Sequence, residues 1–405
     1  MKNKKNIKRI CFSLFIIVLI SALTYLVIYT SKNSCKKIAF YNIPKEHKNT
    51  FTKYIEKSLN ESFSIIELDS SIPLSLQEDQ LKKVSLLFCI TDSNTKQFAT
   101  SNKNVFPISQ NYTTEMPISI KSSIPEKSNN LAYIPFLYDM YQIDVNYDMY
   151  KQTSKPNINT WNDFINVASE EIIYSPSPII IPFYEDKEFL NIFGQLFEVF
   201  SNYQKYEELH NALSEAYQKD MANNYTSTYC IDFMKSLLES NYEIINTYNQ
   251  LKKMFENKLI SSNTLKFSMN DTLFYCNNQL TGFSMLKLTD HRKIDKDVIG
   301  HYKSIYFPSL FITDERKFVS NEYAIIMLKN NFKTNKIISD FTNQFQYDLC
   351  VSTGLAPVQK NSKTPDRQAD DVRYWLAASS GPLLPLSAAI PDSKTQEKIA
   401  NLLRP

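Results

Sequence analysis

The N-terminal third of the chain alternates short apolar runs with amphipathic segments. Apolar runs at residues 37–43, 63–68 and 84–90 predict three strands. Between the first two, residues 44–60 carry apolar side chains at helical spacing behind Pro44, which predicts a helix. A strand, a helix, a second strand and another buried strand describe an open sheet with parallel strands. The pattern therefore predicts an α/β fold.

The centre of the chain changes to long amphipathic segments. One of them, 188–203, carries a stripe of aromatic residues that we interpret as helical core rather than as a binding surface. The helices predicted here cover 160–173, 188–203, 206–219, 229–239 and 242–259, with a short strand at 178–182. Strands at 304–310 and 324–328 and helices at 333–347 and 393–403 complete the pattern.

The stretch before the first of these helices combines two strand-like runs with a helix start. Residues 132–135 predict a strand that Pro135 ends, because proline has no N–H to donate to a sheet. Residues 143–146 predict a second short strand. Thr160 is a good N-cap for the helix that follows, and Asp163 can complete a capping box with it.

The first residues have the form of a membrane-targeting segment. Residues 1–9 carry five positive charges, and residues 10–29 are uncharged over a length that can span a bilayer. The positive flank stays inside, so the chain after Tyr29 is expected outside the cytoplasmic membrane, in the periplasm or at the cell surface. An uncleaved transmembrane anchor, a lipoprotein attached through Cys35 and a cleaved signal peptide are the three alternatives.

Composition excludes several functional classes. The net charge of +3, from 45 basic and 42 acidic residues, leaves no footprint for nucleic acid. The chain has five glycines and no glycine-rich phosphate motif. Its six cysteines form no C-x-x-C pair, and its four histidines lack zinc-like spacing. We therefore predict no cofactor and no metal.

Catalytic motifs are also missing from the sequence. Neither G-x-S-x-G nor H-E-x-x-H occurs, and adjacent acids such as Glu170 and Glu171 are expected in a chain with 42 carboxylates. We predict that the protein is not an enzyme. Aromatic residues make up 13% of the chain, which suits either sugar stacking or a biased genome composition.

The order of short motifs resembles the extracellular solute-binding proteins of ABC importers, in family 1, which binds maltose and other oligosaccharides. The motifs that carry the resemblance are Tyr-Ile-Pro at 133–135, Asn-Tyr-Asp-Met-Tyr at 146–150 and Thr-Trp-Asn-Asp-Phe at 160–164. Ser268, Asp271 and Tyr275 match a second family signature, in which Asn278 and Gln279 replace a Gly-Lys pair.

This resemblance implies a two-lobed periplasmic-binding-protein fold of type II with a hinge, preceded by one N-terminal transmembrane or signal helix. Residues 1–36 would be the anchor or signal segment. The first lobe would comprise 37–145 and 304–348, and the second lobe 146–303 and 349–405.

Candidate ligand-binding residues follow from the predicted strand ends and from the resemblance. Ligands of open α/β sheets lie beyond the carboxyl ends of the strands, and sugar sites combine aromatic faces with polar partners. The alternatives for these residues are strand caps, a plain helix start and core packing. The candidates are Tyr41, Asn42 and Asp92 at strand ends; Tyr138, Asp139 and Tyr141 near the crossover between lobes; Tyr184, Glu185 and Asp186 after the strand at 178–182; and, implied by the resemblance, Lys287, Asp290, Tyr374 and Trp375.

The resulting prediction is a membrane-tethered substrate-binding protein of an ABC transporter. Its ligand would be a carbohydrate bound between the lobes, and its partners would be permease subunits in the membrane. The alternative is a degenerate member that no longer transports and acts as a surface interaction or sensor protein.

Overall fold

A computed structural model describes residues 37–60, 62–154, 157–175, 177–223, 228–311 and 315–405. The predicted anchor or signal segment, including Cys35, lies outside these residues. Within the ranges that are described, every helix is too short or too polar to traverse a bilayer.

The strands belong mainly to one mixed sheet. Their bounds are β1 Lys37–Tyr41, β2 Ser64–Glu67, β3 Leu86–Ile90, β4 Glu126–Lys127, β5 Asn130–Leu131, β6 Ile134–Asn146, β7 Ile179–Ile180, β8 Phe283–Lys287, β9 Tyr302–Ile305, β10 Phe318–Met327, β11 Ala356–Pro357 and β12 Pro382–Leu383.

Most of the helices follow β6 in the chain. Their bounds are α1 Lys45–Leu59, α2 Glu78–Leu81, α3 Ser93–Ser101, α4 Ile118–Ser123, α5 Tyr147–Tyr150, α6 Trp161–Glu171, α7 Asp186–Phe200, α8 Tyr203–Ala222, α9 Tyr229–Ser240, α10 Tyr242–Glu256, α11 Met269–Asn277, α12 Leu288–His291, α13 Phe332–Ser339, α14 Gln346–Thr353, α15 Arg367–Ala378 and α16 Ser393–Leu403.

The sheet runs in the order β2-β1-β3-β10-β6-β8-β7. Strand β1 pairs in parallel with β2 and β3, which confirms the parallel arrangement that the N-terminal pattern predicts. Strand β10 returns from the C-terminal part of the chain and pairs antiparallel with both β3 and β6. The carboxyl ends of β1 and β3 therefore lie side by side at one edge of the sheet.

Strand β6 departs from its prediction. The structure has one buried strand of 13 residues where the sequence predicts two short ones. Tyr323 and Ala324 of β10 face Leu137 and Pro135, so Phe136 between them is the extra residue of a β-bulge. A bulge is a position where a sheet tolerates proline. The prediction that Pro135 ends the strand is wrong for this reason.

Two hydrophobic clusters define the lobes. The first contains the apolar residues of β1, α1 and β3, and the second contains those of α6, α7 and α16. Along β6 the change falls between Met140, in the first cluster, and Tyr141, in the second. We use "first lobe" and "second lobe" for the elements packed on each cluster, and β6 and β10 run through both.

Residues 349–376 pack on the first lobe, although the resemblance assigns them to the second. Leu349 and Leu376 belong to the first cluster, and β11 pairs with β6 through Ala356 and Tyr138. The chain reaches the second lobe again only with Leu383 and the elements after it.

Several helix predictions are confirmed. Thr160 caps α6 in a capping box with Asp163, and α7 buries its aromatic stripe. Helix α16 has the predicted bounds. The helix predicted at 333–347 is instead divided, because a π-helical segment, Asp340–Gln344, separates α13 from α14.

Candidate ligand cleft

Three cavities lie between the two lobes. The Asp92 cavity has a volume of about 200 Å³, the Lys287 cavity about 570 Å³ and the His210 cavity about 400 Å³. The first two share Ile90, Lys187 and Asn321 in their walls. Together the three cavities form what we call the cleft.

The Asp92 cavity opens at the carboxyl ends of β1 and β3. Asn42 follows β1 in the left-handed region with φ of 58°, a conformation that asparagine adopts more readily than most residues. Asp92 follows β3 and caps α3: its Oδ1 accepts a bond from the Thr95 amide at 2.7 Å. The second lobe contributes Lys187 and Gln396 to the opposite wall.

Burial changes the acidity of the Asp92 carboxyl group. Asp92 is buried, and desolvation raises its pKa to about 6, against the opposing effect of the hydrogen bonds from Thr95. Tyr41, just before the cavity, is also buried. Its hydroxyl donates to the Ser70 carbonyl at 3.3 Å, and burial raises its pKa.

Lys187 is the cation that the Asp92 and Lys287 cavities share. It lies in the first turn of α7, is half-buried, and makes no ion pair or hydrogen bond with the residues that the structure describes. Burial lowers its pKa, and the nearby positive charge of Lys287 acts in the same direction. A ligand oxygen in the cleft would therefore find an unengaged donor. Lys187 is not among the residues predicted from the sequence, where the helix is predicted to begin at Glu188.

The Lys287 cavity is lined by a network of paired charges. Lys287 Nζ lies 2.7 Å from Glu188 Oε1 and 3.4 Å from Asp290 Oδ2. Tyr141 donates its hydroxyl to Glu188 Oε2 at 2.7 Å. Burial alone would lower the pKa of Lys287, but attraction, led by Glu188, holds that pKa well above its ordinary value.

Asp139 forms the floor of the same cavity. Its Oδ1 accepts from the Thr289 amide at 3.0 Å, and its Oδ2 accepts from the Thr289 hydroxyl at 2.7 Å. Burial raises the pKa of Asp139 to about 6. The two bonds to Thr289 join β6 to the start of α12 and fix the position of this carboxylate in the cavity wall.

Other predicted residues lie outside the cavities. The Tyr138 hydroxyl donates to Glu322 Oε2 at 2.8 Å, within the core. Tyr374 is 67% exposed, and Trp375 packs edge-on against Tyr306 with ring centroids 5.8 Å apart. Neither Tyr374 nor Trp375 lines a cavity of the cleft, so the stacking surface inferred from the resemblance is not placed there.

The residues predicted at the start of α7 hold the N-terminus of that helix in place. Tyr184 is exposed, and Glu185 occupies the N-cap position, with its pKa raised by burial. Glu185 Oε1 accepts from the Met269 amide at 3.4 Å. Asp186 pairs with Arg404 at 2.7 Å. These contacts fix the N-terminus of α7, which in turn places Lys187 in the cleft.

The cleft is suited to binding a polar, uncharged molecule. Asp92 supplies acceptor oxygens, Lys187 supplies a donor, and the amides of Asn42 and Asn321 supply both. Among the described residues, no group of three or more His, Cys, Asp and Glu side chains is arranged to hold a metal ion. The aromatic rings in the cavity walls, Tyr323 and Tyr206, are buried almost completely.

Comparison with known proteins gives matches in structure. No protein-family model matches the sequence, and no curated protein matches it. The bacterial solute receptor AcbH, described with an exclusive preference for β-D-galactopyranose, superposes with a TM-score of 0.67 at 10% identity, over 91% of this chain and 98% of its own. Maltose-bound MalE3 of T. maritima gives 0.61 at 12% identity, over 91% and 98%.

A binding protein from Bacillus subtilis in an open conformation gives a TM-score of 0.64 at 14% identity, over 91% of this chain and 94% of its own. The chain therefore has the mixed α/β fold of the two-lobed solute-binding proteins. The resemblance that the sequence motifs indicate is confirmed for the fold over nine tenths of the chain.

Proposed function

We propose that the protein is the extracytoplasmic substrate-binding component of an ABC transporter, and that it binds a carbohydrate of oligosaccharide size between its lobes. The observation that carries this proposal is the convergence of Asn42 and Asp92 from the first lobe with Lys187 from the second on one cavity. Hydroxyl groups need both donors and acceptors, and these residues provide them from opposite sides.

The fold comparisons support the same function. One neighbour is described as a solute receptor with a preference for β-D-galactopyranose, a second is bound to maltose, and a third, described as a sugar transporter, is in complex with stachyose. These neighbours agree with a site that is built from hydrogen-bonding groups. The N-terminal sequence has a positively charged segment, residues 1–9, followed by an uncharged segment, residues 10–29. This order supports a location outside the cytoplasmic membrane.

The mechanism is a change of population between open and closed forms. Strands β6 and β10 continue from one lobe into the other and serve as the hinge. A ligand that contacts both walls binds the closed form more tightly, so its binding favours closure. The closed form would present both lobes to the permease. Open cavities in the cleft favour this function over a surface protein that no longer transports, for which a filled cleft would be expected.

Thermal unfolding of the full-length chain against a panel of sugars, amino acids and peptides tests the proposal. A ligand at 100 times its Kd adds about 2.7 kcal/mol to the free energy of unfolding, which raises Tm by several degrees. Small-angle scattering then shows whether the bound protein is more compact. A folded protein whose Tm responds to no saccharide contradicts the proposal.

A further inference from the structure

The His210 cavity lies next to the Asp92 cavity along the boundary between the lobes. Its first-lobe wall includes Ser93, directly after Asp92, and Lys96 one turn later in α3. Its second-lobe wall includes Tyr206 and His210 of α8. With about 400 Å³ of space and walls that carry mostly polar groups, it is of the size that small-molecule sites have.

His210 is held in one orientation and presents one unbonded nitrogen. The side chain is 8% exposed. Its ring stacks on Tyr206 with centroids 6.3 Å apart, and Tyr206 is fixed by a 2.7 Å bond from its hydroxyl to the Leu384 carbonyl. His210 also bonds to the backbone of Pro385, whereas Nε2 is buried without a hydrogen-bond partner among the described residues.

We assign the tautomer of His210 from these contacts. A backbone carbonyl accepts, so Nδ1 carries the hydrogen and donates to Pro385, and Nε2 is left with a lone pair. Burial lowers the pKa of His210 to about 3, and the nearby charge of Lys96 acts in the same direction. The imidazole is therefore neutral at physiological pH, and Nε2 is an acceptor that requires a donor from elsewhere.

Lys96 provides the complementary group. It is half-buried in the same cavity wall and makes no ion pair or side-chain hydrogen bond with the described part of the chain. Burial lowers its pKa. The other cation in the wall, Lys317, is already paired with Glu207 at 2.6 Å. Lys96 and His210 thus line one polar cavity from opposite lobes, and neither Nζ of Lys96 nor Nε2 of His210 has a hydrogen-bond partner among the described residues.

We propose that the His210 cavity is a further saccharide subsite, in which one sugar hydroxyl donates to Nε2 of His210 and a neighbouring oxygen accepts from Nζ of Lys96. A sugar ring carries donors and acceptors on adjacent carbons, which matches this pair. An anion would be repelled by the lone pair of Nε2, and a cation would be repelled by the ammonium group of Lys96. That the ligand is a saccharide rests on the proposed function. The subsite implies that this saccharide is a chain of rings that spans the Asp92 and His210 cavities.

Binding of gluco-, xylo-, chito- and galacto-oligosaccharides of one to four rings to the full-length chain tests the subsite by calorimetry. Lys96→Met removes the donor and keeps the aliphatic stem, and His210→Asn removes Nε2 while keeping a donor toward Pro385. We expect each substitution to lower the affinity for the longest bound saccharide about tenfold. The affinity for the shortest bound saccharide should stay unchanged. Lys83→Met, at an exposed position outside the cleft, is the matched control.

A measurement on the unmodified chain removes any dependence on how the variants fold. The nitrogen chemical shift of His210 Nε2 is followed by NMR as the longest bound saccharide is added, and we expect it to move. If saccharides bind but that shift and both variants' affinities stay unchanged, the subsite is overturned while the proposed function stands. If no saccharide binds the wild-type chain, the proposed function and the subsite both fail.

Discussion

Lys287 Nζ lies 2.7 Å from Glu188 Oε1, and this contact ties the end of β8 to the first turn of α7. The other carboxylate oxygen of Glu188 accepts the Tyr141 hydroxyl at 2.7 Å, so β6 joins the same network. Both ends of the ion pair are mostly buried. The second-lobe wall of the cleft is therefore organised before a ligand enters it, and the position of the neighbouring Lys187 depends on this network.

Glu188→Gln should destabilise the folded protein by about 3 kcal/mol, because removal of one partner leaves the other charge buried and poorly compensated. Asp290 at 3.4 Å from Lys287 Nζ keeps the loss at the lower end of the range for buried pairs. Urea unfolding measures it. The exposed pair Lys205–Glu208 is the control, and Glu208→Gln should cost less than about 1 kcal/mol. Equal losses for both variants would contradict this account of the wall.

Lys187→Met should separate binding from stability. Burial of an ammonium without a partner costs free energy in the unliganded protein, so its removal should leave Tm unchanged or raise it. The same change removes the donor that faces the Asp92 and Lys287 cavities, and the affinity for a bound saccharide should fall at least about tenfold. Calorimetry and thermal unfolding of the same samples measure the two effects. A lower Tm together with unchanged affinity would show that Lys187 supports the fold and not the ligand.

The fold was predictable where local pattern and pairing agree. The sequence around β1, α1 and β3 specifies elements whose neighbours in space are also neighbours in the chain, and their order alone indicates parallel pairing. The prediction for strand β6 was wrong because the continuity of this strand depends on β10, which lies far along the chain. A bulge opposite Tyr323 and Ala324 is what allows Pro135 inside the strand, and no local signal reports that register.

The candidate site was predictable at strand ends, and Asp139, Lys287 and Asp290, selected near the crossover or from the resemblance, also line the cleft. Asn42 and Asp92 line a cavity because the carboxyl ends of neighbouring parallel strands meet at one sheet edge. Lys187 and His210 lie in amphipathic helices, where the face that meets the other lobe is decided by packing and not by periodicity. Trp375 was selected by resemblance, but in this chain its ring packs against Tyr306.

Glu171 should make the stability of the protein depend on pH. Its carboxyl oxygens are buried without hydrogen-bond partners in the described structure, and burial raises its pKa from 4.5 to about 8. The folded protein then binds more protons than the unfolded chain between these values. Stability should fall as pH rises from about 4.5 to 8, by at most about 5 kcal/mol. Unfolding of wild type and Glu171→Gln at each pH measures the difference, and parallel curves for the two proteins would exclude this role.

Gly282 should be coupled to the same carboxyl group. A Cβ added at Gly282 would lie 1.3 Å from Glu171 Oε2, so Gly282→Ala must displace a buried side chain. We expect a loss of about 1–3 kcal/mol. In a Glu171→Ala background the obstructing atoms are gone, and Gly282→Ala should cost much less. A double-mutant cycle measured by urea unfolding tests this, and additive losses would show that the two residues do not contact each other.

Asp92 should give stability and ligand affinity opposite pH dependences. Burial raises its pKa to about 6 from 3.8, so the folded, unliganded protein binds the extra proton and loses stability as pH rises between these values, by roughly 3 kcal/mol. A ligand hydroxyl that donates to Asp92 prefers the ionised form, so affinity should rise about tenfold from pH 5 to pH 7.

Asp92→Asn tests both effects, because asparagine is an equally good N-cap and leaves α3 intact. Calorimetry across the pH range should show an affinity that is low and independent of pH, and the pH slope of stability between about 4 and 6 should shrink in the same variant. Asp92→Ala separates the cap from the charge, since it should also lose about 1 kcal/mol of stability at every pH. If Asp92→Asn binds saccharide with the wild-type pH profile, Asp92 caps the helix and takes no part in binding.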